Sequence, residues 1–292
     1  MKMKVAFVIL SYRNIDDTVE CINSILRIDT PRENYSVILV DNSDDDKTAL
    51  TEIQKRVTID YCFSIKNKGY SHGNNFGIKI AYEKGFDYIC VINNDTIVSP
   101  AFLNELLNVI ETKKDVALVA PLIHSYLNKS IWSSGGYYNK FRANYIMTNS
   151  QIQDISEAEF VNGCCFLFSR TLIDKIGYMD EDYFMYNEDA DWCYKIGTIG
   201  LKNYVVPKSI IYHKVSVSSG ACSPFQLYYL YKNRLLFIKK NKRGVARVYS
   251  YFINSAQIIV RMLQYCLKDA QRFKALWFAL KDAPSVLGRG RY

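Results

Sequence analysis

The chain reads as an α/β protein whose mostly parallel central sheet is flanked by helices on both faces. Two observations carry this reading. Short apolar runs rich in β-branched residues recur from position 5 to position 120, and each is followed by a stretch with helical spacing. Strand–helix alternation of this kind is the pattern of parallel strands joined by crossover helices, with ligands taken up outside the carboxyl ends of the strands. A length of 292 residues with 49% hydrophobic residues supplies enough apolar material for a large core.

Taken in order, strands are expected at VAFVIL (5–10), SVILVD (36–41), IDYCFSI (59–65), FDYICVI (86–92) and VALVA (116–120). Helices are expected over 16–28, 45–56, 72–84 and 100–112. Residues 124–159, rich in Ser, Asn and Tyr with a Gly-Gly break, read as a loop region able to shape a pocket. Within it Trp132, Tyr137 and Tyr138 are of a type that stacks on a ligand's face or simply packs. FVNGCCFLF then reads as a buried strand that carries Asn162 and Gly163 toward the site. Two helices are expected at LYYLYKNRLLFI and VARVYSYFINSAQIIVRMLQYCL. Arg261 and Gln264 interrupt the second, so it is expected to lie at an interface instead of crossing a bilayer.

Composition removes several classes. Only 6 Pro and 14 Gly, with no biased or repeated tract, speak against long disorder, a collagen-like rod or a solenoid. The 8 Cys form no CxxC pair and sit in apolar runs, as free buried thiols do. The opening MKMKVAFVILSYRN has too short an apolar run for a signal-peptide core, so the chain is expected to start in the cytoplasm. Charge is uneven: residues 225–292 hold 14 Lys+Arg against 2 Asp+Glu, which leaves 23 against 27 in residues 1–224. We therefore expect a catalytic domain over 1–224 and a basic, aromatic helical extension over 225–292. The extension suits an anionic membrane surface, a dimer contact or a merely solvated basic face.

The residues just after the strands are polar. Ser11, Tyr12, Arg13 and Asn14 follow the first strand, Asp41, Asn42 and Ser43 the second, and Asn93, Asn94 and Asp95 the fourth. A carboxylate such as Asp41 accepts two donors at once, as paired hydroxyls or the imide edge of a base require, although Asp-Asn-Ser also forms turns. Neither a GxGxxG after the first strand nor a GxxxxGK[ST] is present, so the Rossmann dinucleotide and P-loop signals are missing. Asp95 is placed to hold Mg²⁺ or Mn²⁺ where a diphosphate completes the shell, with a plain Asn-Asn-Asp turn as the alternative. Glu188, Asp189 and Asp191 open a helical stretch; they either cap it or crowd enough charge near apolar surface to raise a pKa, as a general base needs. None of the three His, at 72, 124 and 213, is paired with a Ser or Cys nucleophile signature. His72 and His124 read as ordinary loop or core residues.

Taken together, the segments VAFVILSYRN, VDNSDDD, NKGYSHGNNFGI, INNDTIV, FVNGCCFLFSR, GYMDEDYFMYNEDADWCYKI, VPKSIIYHKVSVSS and LYYLYKNRLLFIKK resemble the inverting family 2 glycosyltransferases of GT-A fold, the rhamnosyltransferase-like branch in particular. The resemblance runs from Val5 to about Lys240. It implies a GT-A-type, Rossmann-like sheet with Ser11, Tyr12 and Asp41 at the nucleoside and Asn67, Gly69, Asn74 and Gly77 on the base and ribose side. It implies further that Asn93 and Asn94 face the donor, Asp95 and His213 hold Mg²⁺ or Mn²⁺, and Asp189 is the base with Glu188 beside it; the cationic Arg234 or Lys232 would then stand near the departing diphosphate. The motif reads Asn-Asn-Asp where the widely known form is Asp-x-Asp, so one carboxylate is missing. By the same resemblance the donor is a dTDP- or UDP-linked sugar, and the acceptor a polyprenyl-diphosphate-linked or other glycan of capsule or O-antigen type. The enzyme would then work peripherally on the inner face of the cell membrane, with a homodimer as a further possibility. Two other functions stay open on the residues: a catalytically silent nucleotide-sugar-binding subunit, and a nucleic-acid binder driven by the basic tail, which lacks any RNA- or DNA-binding signature.

Overall fold

The computed structural model describes residues 4–43, 48–214 and 223–283. Parts of two quoted motifs, 44–46 and 215–219, and the chain end 284–292 lie outside the described residues. Contacts divide the chain into two compact units. One comprises Met1–Tyr137, Ile146–Asp182 and Glu188–Val215, and the other Tyr138–Tyr145, Tyr183–Asn187 and Ser216–Tyr292.

The first unit is built on β1 (Val5–Ser11), α1 (Ile15–Ile25), β2 (Tyr35–Asp41), α2 (Thr48–Arg56), β3 (Tyr61–Ser64), α3 (Tyr70–Glu83) and β4 (Tyr88–Asn93). The expected alternation is present to within a few residues at each end. β1 pairs in parallel with both β2 and β4, and β2 with β3. Burial on both faces explains the near-continuous apolar runs, since Val5 to Ile9 and Val37 to Val40 are all wholly buried. Register decides function here. Ser11 lies opposite Asp41 and Leu10 opposite Asn93, so the polar residues after three strands come to one edge of the sheet.

Helix α3 crosses β1 at unusually short range. A Cβ on Gly73 would stand 2.3 Å from Leu10 Cδ1, and one on Gly77 2.4 Å from Val8 Cγ1, so a side chain at either place would have to push that neighbour aside. Gly77, which the resemblance puts beside the nucleotide, therefore has a packing role: its Cα faces Val8 and Val40.

Beyond β4 the sheet becomes mixed. After β5 (Thr96–Val98) and α4 (Phe102–Thr112) come β6 (Val116–Ser125), β7 (Ile131–Ser133), β8 (Gly136–Asn139), β9 (Asn144–Met147), β10 (Ser156–Ala158), β11 (Cys165–Ser169), α5 (Thr171–Ile176), α6 (Glu188–Thr198) and β12 (Lys202–His213). β11 inserts antiparallel between β4 and β6, and β6 pairs in parallel with β12. The strand order is β10-β12-β6-β11-β4-β1-β2-β3. Residues 124–159, expected as loop, carry the short strands β7 to β10.

The second unit contains α7 (Pro224–Asn241), α8 (Gly244–Tyr265) and α9 (Ala270–Lys281). A capping box between Ser223 and Gln226, with Pro224 at the first turn, starts α7. Leu227, Leu235, Ile238, Ile258 and Leu276 form its core. α9 is not among the expected elements; Asp269 starts it by accepting the Arg272 N–H at 2.9 Å. Among the described residues, no helix is long and apolar enough to cross a membrane. Cys21, Cys62, Cys90, Cys164, Cys165, Cys193 and Cys266 are free, and five of them are buried, in keeping with the sequence reading.

Candidate active site

The carboxyl end of β1 turns out of the sheet at Tyr12 and Arg13. Arg13 takes a left-handed φ of 56°, a conformation that costs a non-glycine residue energy and is held here by its N–H donating to Ser43 Oγ at 2.9 Å. Its guanidinium lies 5.1 Å from the Tyr12 ring centroid, and that ring is half exposed. Asp41 is fully buried and accepts from Ser43 Oγ at 2.6 Å. Asn42 reaches from the same turn to Asn67 Oδ1 at 3.0 Å, and that oxygen also accepts the Gly69 N–H at 3.0 Å. Asn42 and Asn67 thus fix the entry to α3. Asn74, one turn into α3, is buried; its amide donates to the Tyr70 carbonyl at 3.1 Å, and its Oδ1 has no hydrogen-bond partner among the described residues. The neighbouring Asn75 serves the fold instead: it donates to the Met179 carbonyl at 2.8 Å and accepts the Met179 N–H at 3.1 Å.

Asn93, Asn94 and Asp95 form the turn between β4 and β5. Asn94 donates to Thr18 Oγ1 at 2.8 Å, and Thr18 in turn contacts Ser11 Oγ at 3.0 Å. The carbonyl of Asp95 accepts the Lys214 N–H at 2.9 Å, which ties this turn to the end of β12. In consequence His213 Nε2 lies 3.2 Å from Asp95 Oδ1. Trp132 packs edge-on against the His213 ring at 4.7 Å and fixes its plane. Burial disfavours charge on that ring, but Cys164 and Asp95 favour it more strongly, and the net effect lifts its pKa to about 11.

The donor set fits a hard divalent cation. Asp95 Oδ1 is buried and makes no well-aligned hydrogen bond among the described residues; its neighbour is His213 Nε2, whose proton a bound cation would have to displace. Its distance from His213 Nε2 is close to the separation of about 3 Å that two adjacent ligands take on an octahedral ion at ~2.1 Å. No group of three or more His, Cys, Asp or Glu suited to a metal occurs among the described residues, so substrate oxygens or water would fill the remaining positions.

The first turn of α6 carries the second group of acids. Asp189 Oδ2 accepts the Gly163 N–H at 2.9 Å and Oδ1 its neighbour's, that of Ala190, at 2.8 Å. A Cβ on Gly163 would come within 3.3 Å of Asp189 Oδ2, so glycine permits this approach. Burial raises the Asp189 pKa, and the backbone N–H groups offset that only in part. Glu188 is more deeply buried, and its Oε2 has no hydrogen-bond partner among the described residues. Burial, and then the adjacent Asp189, push its pKa well above the usual carboxylate range. Asp191 faces away: Lys195 Nζ stands 2.8 Å from its Oδ2 one turn on, a helix-stabilising pair.

Glu188 therefore binds a proton more tightly in the folded chain than in the unfolded one. Its contribution to stability is complete at acid pH and falls as pH rises through the native pKa. Glu188→Gln, which cannot ionise, should match the parent's thermal midpoint at acid pH and exceed it at neutral pH. A variant that melts below the parent at neutral pH would contradict the buried, uncompensated carboxyl.

One residue joins the two acidic groups. The Tyr70 hydroxyl is 2.9 Å from Asn93 Oδ1 and 2.7 Å from the Gly163 carbonyl, so its single proton is shared between donor-side and base-side elements. Burial, with Glu188, Cys164, Asp189 and Asp95 nearby, keeps this phenol protonated. Sequence reasoning passes over Tyr70. The available signal is an aromatic directly after Gly69, whose φ of 102° starts the helix.

Residues 6–177 match the sequence profile described as Glycosyl transferase family 2. The chain belongs to this family. The dTDP-rhamnosyl transferase RfbF of Shigella flexneri is 24% identical over 280 residues, covering 89% of this chain and 90% of that protein. The low-salt glycan biosynthesis hexosyltransferase Agl10 of Haloferax volcanii is 25% identical over 270 residues, covering 88% and 84%. Among solved structures, GalNAc-T7 with UDP, GalNAc and Mn²⁺ superposes with a TM-score of 0.64 at 15% identity, over 96% of this chain and 55% of that one. Staphylococcus aureus TarS (1–349) gives 0.57 at 15% identity, over 97% and 81%. These likenesses establish the GT-A fold of this family 2 glycosyltransferase.

Within the glycosyltransferase, the first unit brings together Ser11, Asp41, Asn93, Asn94, Asp95 and His213 at adjoining strand ends, with Tyr70 and Gly163 linking them to Asp189. Arg234 belongs to the second unit. There it lies 5.4 Å from the Tyr231 ring centroid, and burial followed by the charges of Arg261 and Arg142 lowers its pKa. His72 pairs with Glu181 at 2.8 Å, and His124 contacts the Lys129 carbonyl at 2.7 Å, as ordinary structural residues do.

Proposed function

We propose that this family 2 glycosyltransferase is an inverting enzyme that moves rhamnose from dTDP-rhamnose, or a hexose from a UDP-sugar, onto a hydroxyl of a lipid-linked glycan intermediate in bacterial cell-surface polysaccharide synthesis. The observation that carries the reading is the chain from Asp189 through Gly163 and Tyr70 to Asn93, which ends two residues before Asp95. It couples a carboxylate of raised pKa to a candidate cation site. Two curated relatives support the donor and carrier classes by their names: the dTDP-rhamnosyl transferase RfbF, and an N-acetylglucosaminyl-diphospho-decaprenol L-rhamnosyltransferase of Mycobacterium tuberculosis.

In this reading the Tyr12 ring, half exposed beside buried Asp41, offers the base a stacking surface, and Asp41 accepts from the nucleoside. Asp189 takes the proton of the acceptor hydroxyl as that oxygen attacks the anomeric carbon from the face opposite the nucleotide. The bond from that carbon to the diphosphate oxygen breaks, its electron pair leaves with the nucleoside diphosphate, and the configuration inverts. A burial-raised pKa makes Asp189 a stronger proton acceptor than an ordinary carboxylate. The Gly163 and Ala190 N–H groups hold it in one orientation, and Tyr70 fixes Gly163 in turn. Asp95 and His213 would hold Mg²⁺ or Mn²⁺, which when bound supplies positive charge to the diphosphate.

Thermal unfolding against UDP, dTDP, GDP and CMP, each with and without Mn²⁺, tests this without an acceptor. A ligand that binds only the native state stabilises it by about 2.7 kcal/mol at a hundred times its Kd. UDP or dTDP should raise the midpoint, Mn²⁺ should enlarge the shift, and Asp95→Ala should remove the enlargement. A folded sample that no nucleotide shifts would overturn the proposal.

A further inference from the structure

Helix α8 is amphipathic in the wrong sense for a helix that belongs only to its own core. Its buried residues recur every fourth position at Ser250, Asn254, Ile258 and Met262, and half of them are polar. Asn254 even spends its amide on backbone, donating to the carbonyls of Arg142 at 2.8 Å and Ser250 at 2.7 Å. The opposite side carries the aliphatic and aromatic bulk. Val245, Val248, Phe252, Ile259 and Leu263 fall at spacings of three, four or seven along one face, with exposures of 85, 57, 69, 51 and 67%. Leu267, just past the helix, is 96% exposed. An apolar row of this kind, broken only at the turn of Ser255 and Ala256, marks a contact with something apolar.

Charge selects the partner. The 22 residues of α8 contain no acid, and exposed Arg243 and Lys268 bracket its two ends. The region 225–292 holds 14 Lys+Arg and 2 Asp+Glu, and both acids are engaged, Asp269 with Arg272 and Asp282 with the Tyr228 hydroxyl. A second copy would set this excess positive charge against its own like charge. Nucleic acid would answer the charge but leave the aliphatic row in water. An anionic bilayer satisfies both, phosphates meeting the cations while the row enters the acyl boundary. Arg261 and the polar residues keep α8 below spanning hydropathy, so it lies along the surface.

We propose that the outer face of α8 docks this protein onto an anionic lipid bilayer. The docking surface lies wholly in the second unit and does not depend on the transfer reaction proposed above. Sedimentation of the whole chain with large vesicles, of phosphatidylcholine alone or with phosphatidylglycerol added, tests it. The parent should pellet with the anionic vesicles and be partly released by salt. Phe252→Glu combined with Leu263→Glu should weaken binding by roughly tenfold or more, with an unchanged thermal midpoint. Arg243→Ala combined with Lys268→Ala should cost about fivefold per charge on anionic vesicles only. Phe252→Trp, which keeps the row apolar, should shift its emission to the blue when anionic vesicles are added. Folded protein that stays in the supernatant, a Phe252→Trp variant whose emission vesicles leave unmoved, or a stable solution dimer dispersed by Leu263→Glu would each overturn the proposal.

Discussion

Asp189→Asn should lower turnover by roughly 10²–10⁴-fold, the usual worth of a positioned base, while nucleotide affinity stays within a few-fold of the parent. The amide keeps the carboxylate's shape but cannot take the acceptor proton. Asp189 touches Gly163 and Ala190 N–H groups and none of Ser11, Asp41 or Asn67, so the donor end of the site should be unaffected. Removing one of two neighbouring buried carboxylates relieves the charge beside Glu188, while the amide, with a single acceptor oxygen, leaves either the Gly163 or the Ala190 N–H without its partner; the two effects oppose each other, so the variant should fold with a midpoint close to the parent's. Steady-state kinetics with a sugar acceptor, read beside nucleotide titration, checks both halves. A variant with parental turnover would remove Asp189 from the chemistry, and one that loses nucleotide binding would make its role structural. A parent chain that binds nucleotide yet transfers no sugar would instead favour the silent-subunit reading.

The second large effect is on stability. Gly77→Val should destabilise the protein by about 3 kcal/mol, because its Cβ would fall 2.4 Å from Val8 Cγ1 inside a close-packed core where overpacking costs ~1–3 kcal/mol per site and β-branching adds to it. Gly77→Ala should cost less, about 1–2 kcal/mol, since the better helix propensity of Ala offsets part of the clash. Val8→Ala makes room at the same point. In that background Gly77→Ala should cost almost nothing, and a double-mutant cycle by denaturant titration reads the coupling directly. Additive effects of the two substitutions would show that α3 and β1 yield independently at this contact.

The sequence pattern specifies the first half of the sheet well because β1, β2 and β4 are buried on both faces, and two-sided burial writes an unbroken apolar run. It fails where pairing is decided at long range. β12 carries Pro207 and Lys208 within its apolar stretch, and its register with β6 shifts there, so no simple period marks it as a twelve-residue strand. The short strands among residues 124–159 contain three or four residues each, too few for alternation to stand out. α9 hides for a different reason, since ALWFALK reads equally as a strand-like apolar run until the Asp269 cap is noticed. The candidate site shows the same division. Asp41, Asp95 and Glu188–Asp189 are marked by their places after strands or at a helix start. Tyr70, Trp132 and Gly163's contact with Asp189 owe their significance to which distant atoms they meet, and chain order does not record that.

The reversal of chain direction at β11 has a bearing on how such a protein changes over time. A parallel strand delivers its end to the site, whereas β11, running antiparallel to β4, delivers its beginning: the Asn93 N–H donates to the Cys164 carbonyl at 2.8 Å, and Gly163 meets Asp189 immediately before the strand starts. On the proposed assignment, the groups given to the donor are written before position 96, apart from His213 and Arg234, and those given to the base after position 160. Variation accumulating in one stretch of the gene can retune one substrate with little disturbance to the other, and recombination between relatives near the intervening segment would exchange the two specificities as separate inheritable blocks.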